Sequence, residues 1–264
     1  MTAPDLDKVL VLDFGSQYTQ LIARRVREHR VYSEIWPCTK PLDAIRAFGP
    51  SALILSGGPS SVHEAGAPSL DPGVFELGVP VLGVCYGMQL MSHLLGGRVV
   101  RADHHEYGRA ELAVQRPGDL LDGVAPDGAI QVWMSHGDSV EAMPEGFEVL
   151  GRSRSCPYAA VAHPGRKLYG LQFHPEVVHT HQGSEIIANF LFRIARLHPS
   201  WTMGSFIERE KAIIRKKVGD DVVICGLSGG VDSSVVATLR HEAIGEQLVP
   251  VFVNNGLLRA GEAE

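Results

Sequence analysis

The sequence predicts an α/β protein: a mostly parallel sheet with flanking helices, followed by the incomplete start of a second doubly wound α/β domain. Three observations predict it. Short apolar, β-rich runs alternate with longer amphipathic ones, and strands separated by helices imply a parallel sheet covered on both faces. Glycine-rich turns close several of the apolar runs, as they do where a strand hands over to a helix. The break His198-Pro199-Ser200 then interrupts the pattern and separates a domain over 8–200 from one over 201–264.

Lys8 to Phe14 reads as a buried strand. Gln17 to His29 reads as a helix, with Leu21, Ile22 and Val26 on one face and arginines on the other. Ser51 to Ser56 is a second buried strand, ending in Gly57-Gly58-Pro59. Val79 to Val84 is a third, followed by a helix from Tyr86 to Leu95. Between Arg98 and Val161 turn signals recur (Pro117-Gly118, Asp122-Gly123, Pro144-Glu145-Gly146) among short strand-like runs, which suggests antiparallel additions to the sheet. Leu168 to Phe173 is another strand, and Ser184 to Leu197 a closing helix. In the second domain, Phe206 to Val218 is a basic amphipathic helix. Val222 to Leu227 is a strand, Ser228 to Ser234 a glycine-rich turn, Val235 to Ile244 a helix and Leu248 to Val253 a strand. Some 60 residues, at roughly the lower size limit of a domain, cannot easily bury a doubly wound core. The sequence ends at Glu264 in mid-domain, so a fragment of a longer protein is expected.

With 45% hydrophobic and 20% charged residues among 264, the chain has material for a sizeable core. A net charge of -6 argues against a general nucleic-acid or membrane-surface binder. No C-x-x-C pair occurs among Cys38, Cys85, Cys156 and Cys225, and their spacing fits neither a zinc site nor a disulfide framework. Cys38, Cys156 and Cys225 read as small buried hydrophobes. No signal peptide is expected from the first residues, no apolar run reaches membrane length, and a reducing cytoplasm is the expected compartment.

Cys85 is different. Gly83-Val84-Cys85-Tyr86-Gly87 has the form G-x-C-x-G between a strand and a helix, the thiol counterpart of the hydrolase nucleophile elbow. Side chains at Gly83 and Gly87 would collide with so sharp a turn. The helix N-terminus favours a thiolate at Cys85, and the N–H of Tyr86 points where an oxyanion would form. Phe173-His174-Pro175-Glu176 offers a proton shuttle in His174 and, two residues on, an orienter in Glu176. The turn Ser56-Gly57-Gly58-Pro59-Ser60 also ends a parallel strand, where sites of such sheets lie. Gly58 is therefore either a second oxyanion N–H donor or a plain loop glycine. Ser135, His136 and Asp138 invite a serine-triad reading, but three members within four residues do not converge on one point. No carboxylate or cysteine pattern accompanies His104-His105 or His174/His179/His181, so no metal site is expected.

Ile54-LSGGPSSV, Leu82-GVCYGMQLM and Gly170-LQFHPEV resemble the three signature segments of class I glutamine amidotransferases, a likeness that covers about Lys8 to Pro199. It implies that glutamine forms a thioester with Cys85, that His174 and Glu176 complete a triad, and that Gly58 and Tyr86 make the oxyanion hole. It also implies that Gln89 and the stretch Met134 to Asp138, with Ser135 and His136, hold the glutamine. The resembling enzymes usually have proline where His181 stands.

Ser228, Gly229, Gly230, Val231, Asp232, Ser233 and Ser234 follow a strand and open a helix, where backbone N–H groups and the helix dipole suit an anion. No Gly-Lys-Ser/Thr follows, so this is not a Walker loop. The run resembles the pyrophosphate-gripping loop of N-type ATP pyrophosphatases. The order of the two motif sets, with Trp133-MSHGD and Phe252-VNNGLLR, resembles the glutamine-hydrolysing carbon–nitrogen ligases that aminate xanthosine 5′-phosphate (XMP) to GMP. That resemblance implies ATP as co-substrate with Mg2+, XMP as acceptor, and a homodimer formed through a region absent here. Its members usually carry aspartate where this chain has Asn254.

Overall fold

The computed structural model of the chain describes residues 6–252, and their side chains except at 102–105. Two compact units are present, Met1–Ser200 and Trp201–Glu264. Val253 and Asn254 lie outside the described residues.

The first unit contains, in order, β1 (Lys8–Asp13), α1 (Thr19–Glu28), β2 (Tyr32–Pro37), α2 (Leu42–Phe48), β3 (Ala52–Leu55), β4 (Val81–Val84), α3 (Tyr86–Leu94), β5 (Arg98–Val114), β6 (Ala129–Ala142), β7 (Glu148–Arg152), β8 (Ala160–His163), β9 (Leu168–Leu171) and α4 (Gly183–Ala188). They build a nine-stranded sheet in the order β2-β1-β3-β4-β9-β8-β7-β5-β6. The run from β2 to β9 is parallel. The strands beyond β9 add to it antiparallel, as expected from the turn-rich stretch.

The continuous apolar run of β1 reflects burial on both faces. Val9 and Val11 pack with Ile22 and Val26 of α1 and with Ile186 of α4. Leu10 and Leu12 pack on the opposite side with Ile45 of α2 and Met91 of α3. The period of two along the strand thus sorts residues between the two helical layers. Carboxyl ends of β1, β3, β4 and β9 consequently meet along one edge, and the turns that leave them carry the motif residues.

In the first unit, sequence and structure differ in four places. β2 and α2 are additional elements. β5 and β6 are long strands rather than short runs, joined by a ladder with irregularities next to Arg98 and Arg101. The closing helix is α-helical only to Ala188 and continues as a wider π turn over Asn189–Ile194. There, the buried Asn189 amide donates to the carbonyls of Leu120 and Asp122.

The second unit contains α5 (Met203–Val218), β10 (Val223–Leu227), α6 (Val231–Ile244) and β11 (Leu248–Phe252), with β10 and β11 parallel. α5 starts earlier than expected because Thr202 and Ser205 form a reciprocal capping box. α6 also starts early, so Val231 to Ser234 form its first turn rather than a loop. Cys225, Ala243, Ile244 and Leu248 make a small core, while Ile224 remains 72% exposed and Val231 79%. Among the described residues no helix is long and apolar enough to cross a membrane.

Candidate active site

Cys85 sits between β4 and α3 with φ 51° and ψ -110°, a left-handed backbone that non-glycine residues rarely adopt. The flanking glycines permit it. A Cβ at Gly83 would come within 2.7 Å of the Met88 nitrogen, and one at Gly87 within 2.5 Å of the Leu55 carbonyl oxygen. These are the collisions expected from the sequence, the first inside the turn and the second against β3. The Cys85 N–H is held by the Leu171 carbonyl at 2.7 Å, which locks the elbow to β9.

His174 and Glu176 lie just past β9 in an irregular segment. Nδ1 of His174 is 2.7 Å from Oε1 of Glu176, and both side chains are almost wholly buried. The segment is tied down from several sides. The His174 N–H donates to the Trp133 carbonyl at 3.0 Å. The Thr180 hydroxyl donates to the His174 carbonyl at 2.6 Å while accepting from the Trp133 N–H at 3.0 Å. Arg25 of α1 donates to the Glu176 carbonyl at 3.0 Å. The Tyr18 ring meets the imidazole edge-on at 5.2 Å. Burial pushes the His174 pKa down, but hydrogen bonds and charges from Cys85 and Glu176 outweigh it and raise it to about 10. The raised value favours the imidazolium form, the charge partner that a thiolate needs.

Part of the sequence-predicted set, without Tyr86, His174 or Glu176, lines one cavity. Its volume is about 670 Å³, and its lining includes Gly58, Cys85, Gln89, Ser135, His136 and Asp138. Among the described residues no backbone acceptor takes the N–H of Gly58 or of Tyr86, so both remain available to a ligand oxygen. Gln89 donates to the Asp138 carbonyl at 2.8 Å. Nδ1 of His136 lies 2.8 Å from that same oxygen, and Nε2 lies 3.2 Å from a Glu106 carboxylate oxygen. That last contact lacks the alignment of a hydrogen bond. Ser135 presents its carbonyl to the Cys85 sulfur at 3.3 Å.

Sequence reasoning missed several residues of the site. A Cβ on Gly57 would lie 3.1 Å from Cε1 of His174 and 3.6 Å from Cβ of Cys85, so Gly57 leaves the room in which the pair meets. A Cβ on Gly58 would instead meet the Phe14 backbone, 2.7 Å from its carbonyl oxygen. Arg101, Tyr107 and Glu64 also line the cavity. Gln172 is fully buried with its Nε2 3.8 Å from the Cys85 sulfur. Its only sequence signal was a place inside Gly170-LQFHPEV. The other cysteines are buried. Burial raises the Cys38 thiol and pushes Cys156 up to about 12, in keeping with their reading as inert hydrophobes.

In the second unit, Gly229 takes φ 80° between β10 and α6. The hydroxyls of Ser233 and Ser234 donate to the Gly230 carbonyl at 2.9 and 3.0 Å. They brace the turn, and no side chain caps the N-terminus of α6. Asp232 lies in its first turn. His179 and His181 stay outside the cavity: the ring of His179 lies 4.6 Å from that of Trp133, and the His181 N–H donates to the Gln131 carbonyl at 2.9 Å. Among the described residues no group of three or more His, Cys, Asp or Glu could hold a metal ion.

A strained cysteine at a strand-to-helix elbow, beside a buried His–Glu pair on a parallel sheet, defines a cysteine amidohydrolase class. Residues 10–194 match the family Glutamine amidotransferase class-I, and the chain belongs to that family. Residues 206–254 match the family NAD synthase. The chain is 57% identical over 258 residues to the GMP synthase [glutamine-hydrolyzing] of Maridesulfovibrio salexigens, covering 98% of this chain and 50% of that protein. It is also 57% identical over 259 residues to the same-named protein of Solidesulfovibrio magneticus, with 98% and 50% covered. The chain thus spans about half the length of the curated relatives it matches. The crystal structure of a Thermoplasma acidophilum protein, described as a candidate component of a GMP synthase, superposes with TM-score 0.65 at 30% identity. It covers 79% of this chain and 100% of its own.

Proposed function

We propose that the first unit hydrolyses glutamine at Cys85 and that, in the longer protein, the ammonia aminates ATP-activated XMP to give GMP. The observation that carries the glutaminase reading is the meeting of a left-handed Cys85 with a His174–Glu176 pair 2.7 Å apart beside Gly57. The Cys85 thiolate attacks the side-chain amide carbon of glutamine. Gly58 and Tyr86 N–H groups receive the oxyanion. His174 gives its proton to the departing nitrogen, so ammonia leaves and a thioester remains. The now neutral His174 takes a proton from water, hydroxide cleaves the thioester, and glutamate departs with the thiolate–imidazolium pair restored. Glu176 holds the imidazole in orientation throughout. Gln89 and the Ser135–His136 backbone position the substrate.

The synthetase half of the proposal rests on the relatives named above and on the Ser228–Ser234 run, whose glycine turn and free helix N-terminus suit pyrophosphate. Magnesium would arrive on the nucleotide, bound mainly by phosphate oxygens, with Asp232 as the carboxylate nearest in sequence. The match continues through the second unit over 98% of the chain, which favours a fused ligase over a stand-alone glutaminase serving a separate synthetase. The compartment that fits this reading is the cytoplasm, and the assembly is a homodimer built by segments of the longer protein.

The test uses the full-length parent with glutamine, ATP, magnesium and XMP, measuring GMP. Cys85→Ala should abolish glutamine-dependent synthesis and leave ammonia-dependent synthesis intact, whereas Asp232→Ala should impair both. Amination of an acceptor other than XMP sinks the assignment.

A further inference from the structure

Gln172 is a polar side chain with no exposed surface, and a buried amide persists only where its hydrogen bonds are made. Its orientation follows from a chain of neighbours. The Asp138 main-chain oxygen can only accept, so the group that Gln89 presents to it at 2.8 Å must be its NH2. That same NH2 lies 3.2 Å from the Gln172 amide, which must therefore turn its oxygen, Oε1, toward Gln89. The remaining end of Gln172 is then an N–H donor, and it faces the Cys85 sulfur at 3.8 Å. One backbone carbonyl thus fixes the direction of two amides and aims a donor at the expected nucleophile.

We propose that Gln172 donates a hydrogen bond to the Cys85 sulfur and ties it, through Gln89, to the strand that forms the glutamine pocket. The inference rests on the reading of Cys85 as nucleophile. A neutral thiol is a weak acceptor and a thiolate a strong one, so the contact favours the charged form. It opposes the effect of the Ser135 carbonyl, which lies 3.3 Å from the sulfur and can accept only from a thiol. His174 interacts with Cys85 and is backed by Glu176, and Glu64, Arg101, His136 and Asp138 line the cavity beyond. Gln172 adds a donor without adding charge. Because Gln89 lines the pocket and grips Gln172, glutamine that moves Gln89 also moves the donor.

The experiment is the pH dependence of Cys85 alkylation by iodoacetamide in the whole chain, read by mass spectrometry of the Cys85 peptide, for wild type, Q172E and Q172M. Gln172→Glu keeps an acceptor for Gln89 but puts an oxygen against the sulfur. Gln172→Met removes the donor without adding charge and decides the matter if Gln172→Glu fails to fold. A hydrogen bond to a charged group corresponds to a shift of about one pH unit. Alkylation below the midpoint should slow about tenfold, and the midpoint should move up by about that unit, while glutamine KM changes less than kcat. Variants that keep the wild-type profile overturn the role of Gln172 and leave Cys85 as nucleophile. A wild-type Cys85 no more reactive at neutral pH than a free thiol overturns the nucleophile reading itself, and the role of Gln172 with it.

Discussion

The carbonyl oxygen of Ser135 lies 3.3 Å from the sulfur of Cys85, so the strand that lines the cavity directly touches the residue proposed as nucleophile. A thiol can donate to that oxygen and a thiolate cannot. Ionisation therefore turns this contact from attractive to repulsive, and the imidazolium of His174 must offset it. Strain adds to the load, since Cys85 holds φ 51°.

Removing the side chain should relieve that strain. Cys85→Gly and Cys85→Ala are both expected to release no ammonia from glutamine. Only glycine is at ease in the left-handed region, so Cys85→Gly should be more stable than Cys85→Ala by about 1 kcal/mol in urea unfolding. An equal midpoint for the two would show that the elbow stores no backbone strain.

Glu176→Gln keeps the shape of the side chain but removes its charge beside His174, 2.7 Å away. The imidazole then loses its orienter and its counter-charge. Glutaminase kcat should fall by about 10²–10⁴-fold with KM for glutamine changed little, by analogy with other orienting carboxylates. A drop confined to KM would place Glu176 in substrate binding instead.

Two glycine substitutions should separate chemistry from folding. Gly57→Ala brings a methyl to 3.1 Å from the His174 ring, a contact that small side-chain shifts absorb. Thermal stability should stay near wild type while turnover falls. Gly87→Ala drives a methyl to 2.5 Å from the Leu55 carbonyl, which is backbone and cannot give. That variant should lose several kcal/mol or fail to fold, on the scale of overpacked cores. Calorimetry beside an ammonia assay checks both.

The raised His174 pKa has a stability consequence whose sign is fixed. The group binds its proton more tightly folded, at about 10, than its ordinary 6.5. Its stabilising contribution is complete below pH 6.5 and is lost as pH rises through 10. The stability gap between wild type and His174→Gln should therefore narrow from pH 6 to pH 10 in thermal unfolding. A gap that widens over that range contradicts the imidazolium state.

The parallel half of the fold was legible because β1, β3 and β4 are short, continuous apolar runs with turns behind them. β2 and α2 were not. β2 breaks its pattern with Glu34 and ends at Pro37 on the sheet edge, and α2 is only seven residues long, too short to show a helical period. Cys85 stood out because a strand-to-helix elbow demands its flanking glycines, whereas His174 and Glu176 stood out by standing two residues apart behind a strand and by resemblance to a family motif. Gly57 could not be told from Gly58 in sequence, since only the packed structure shows which one faces the His–Cys pair. Arg101 and Tyr107 reach the cavity through the register of β5 against β6, and long-range register leaves no local mark. Gln172 looked like any polar residue beside a motif; its meaning lies in what Gln89 and Asp138 do to it.

The Asp138 carbonyl has an implication for how this site tolerates change. The oxygen that orients Gln89, and through it Gln172, belongs to the main chain, so every amino acid at that position supplies it. A mutational scan of side chains is blind to the group. What protects it is the pairing of Arg101 with Asp138 across β5 and β6: a one-residue slip would turn the carbonyl away. Replacing the amide that follows Asp138 with an ester, which keeps the side chains and weakens the carbonyl as an acceptor, reaches it directly.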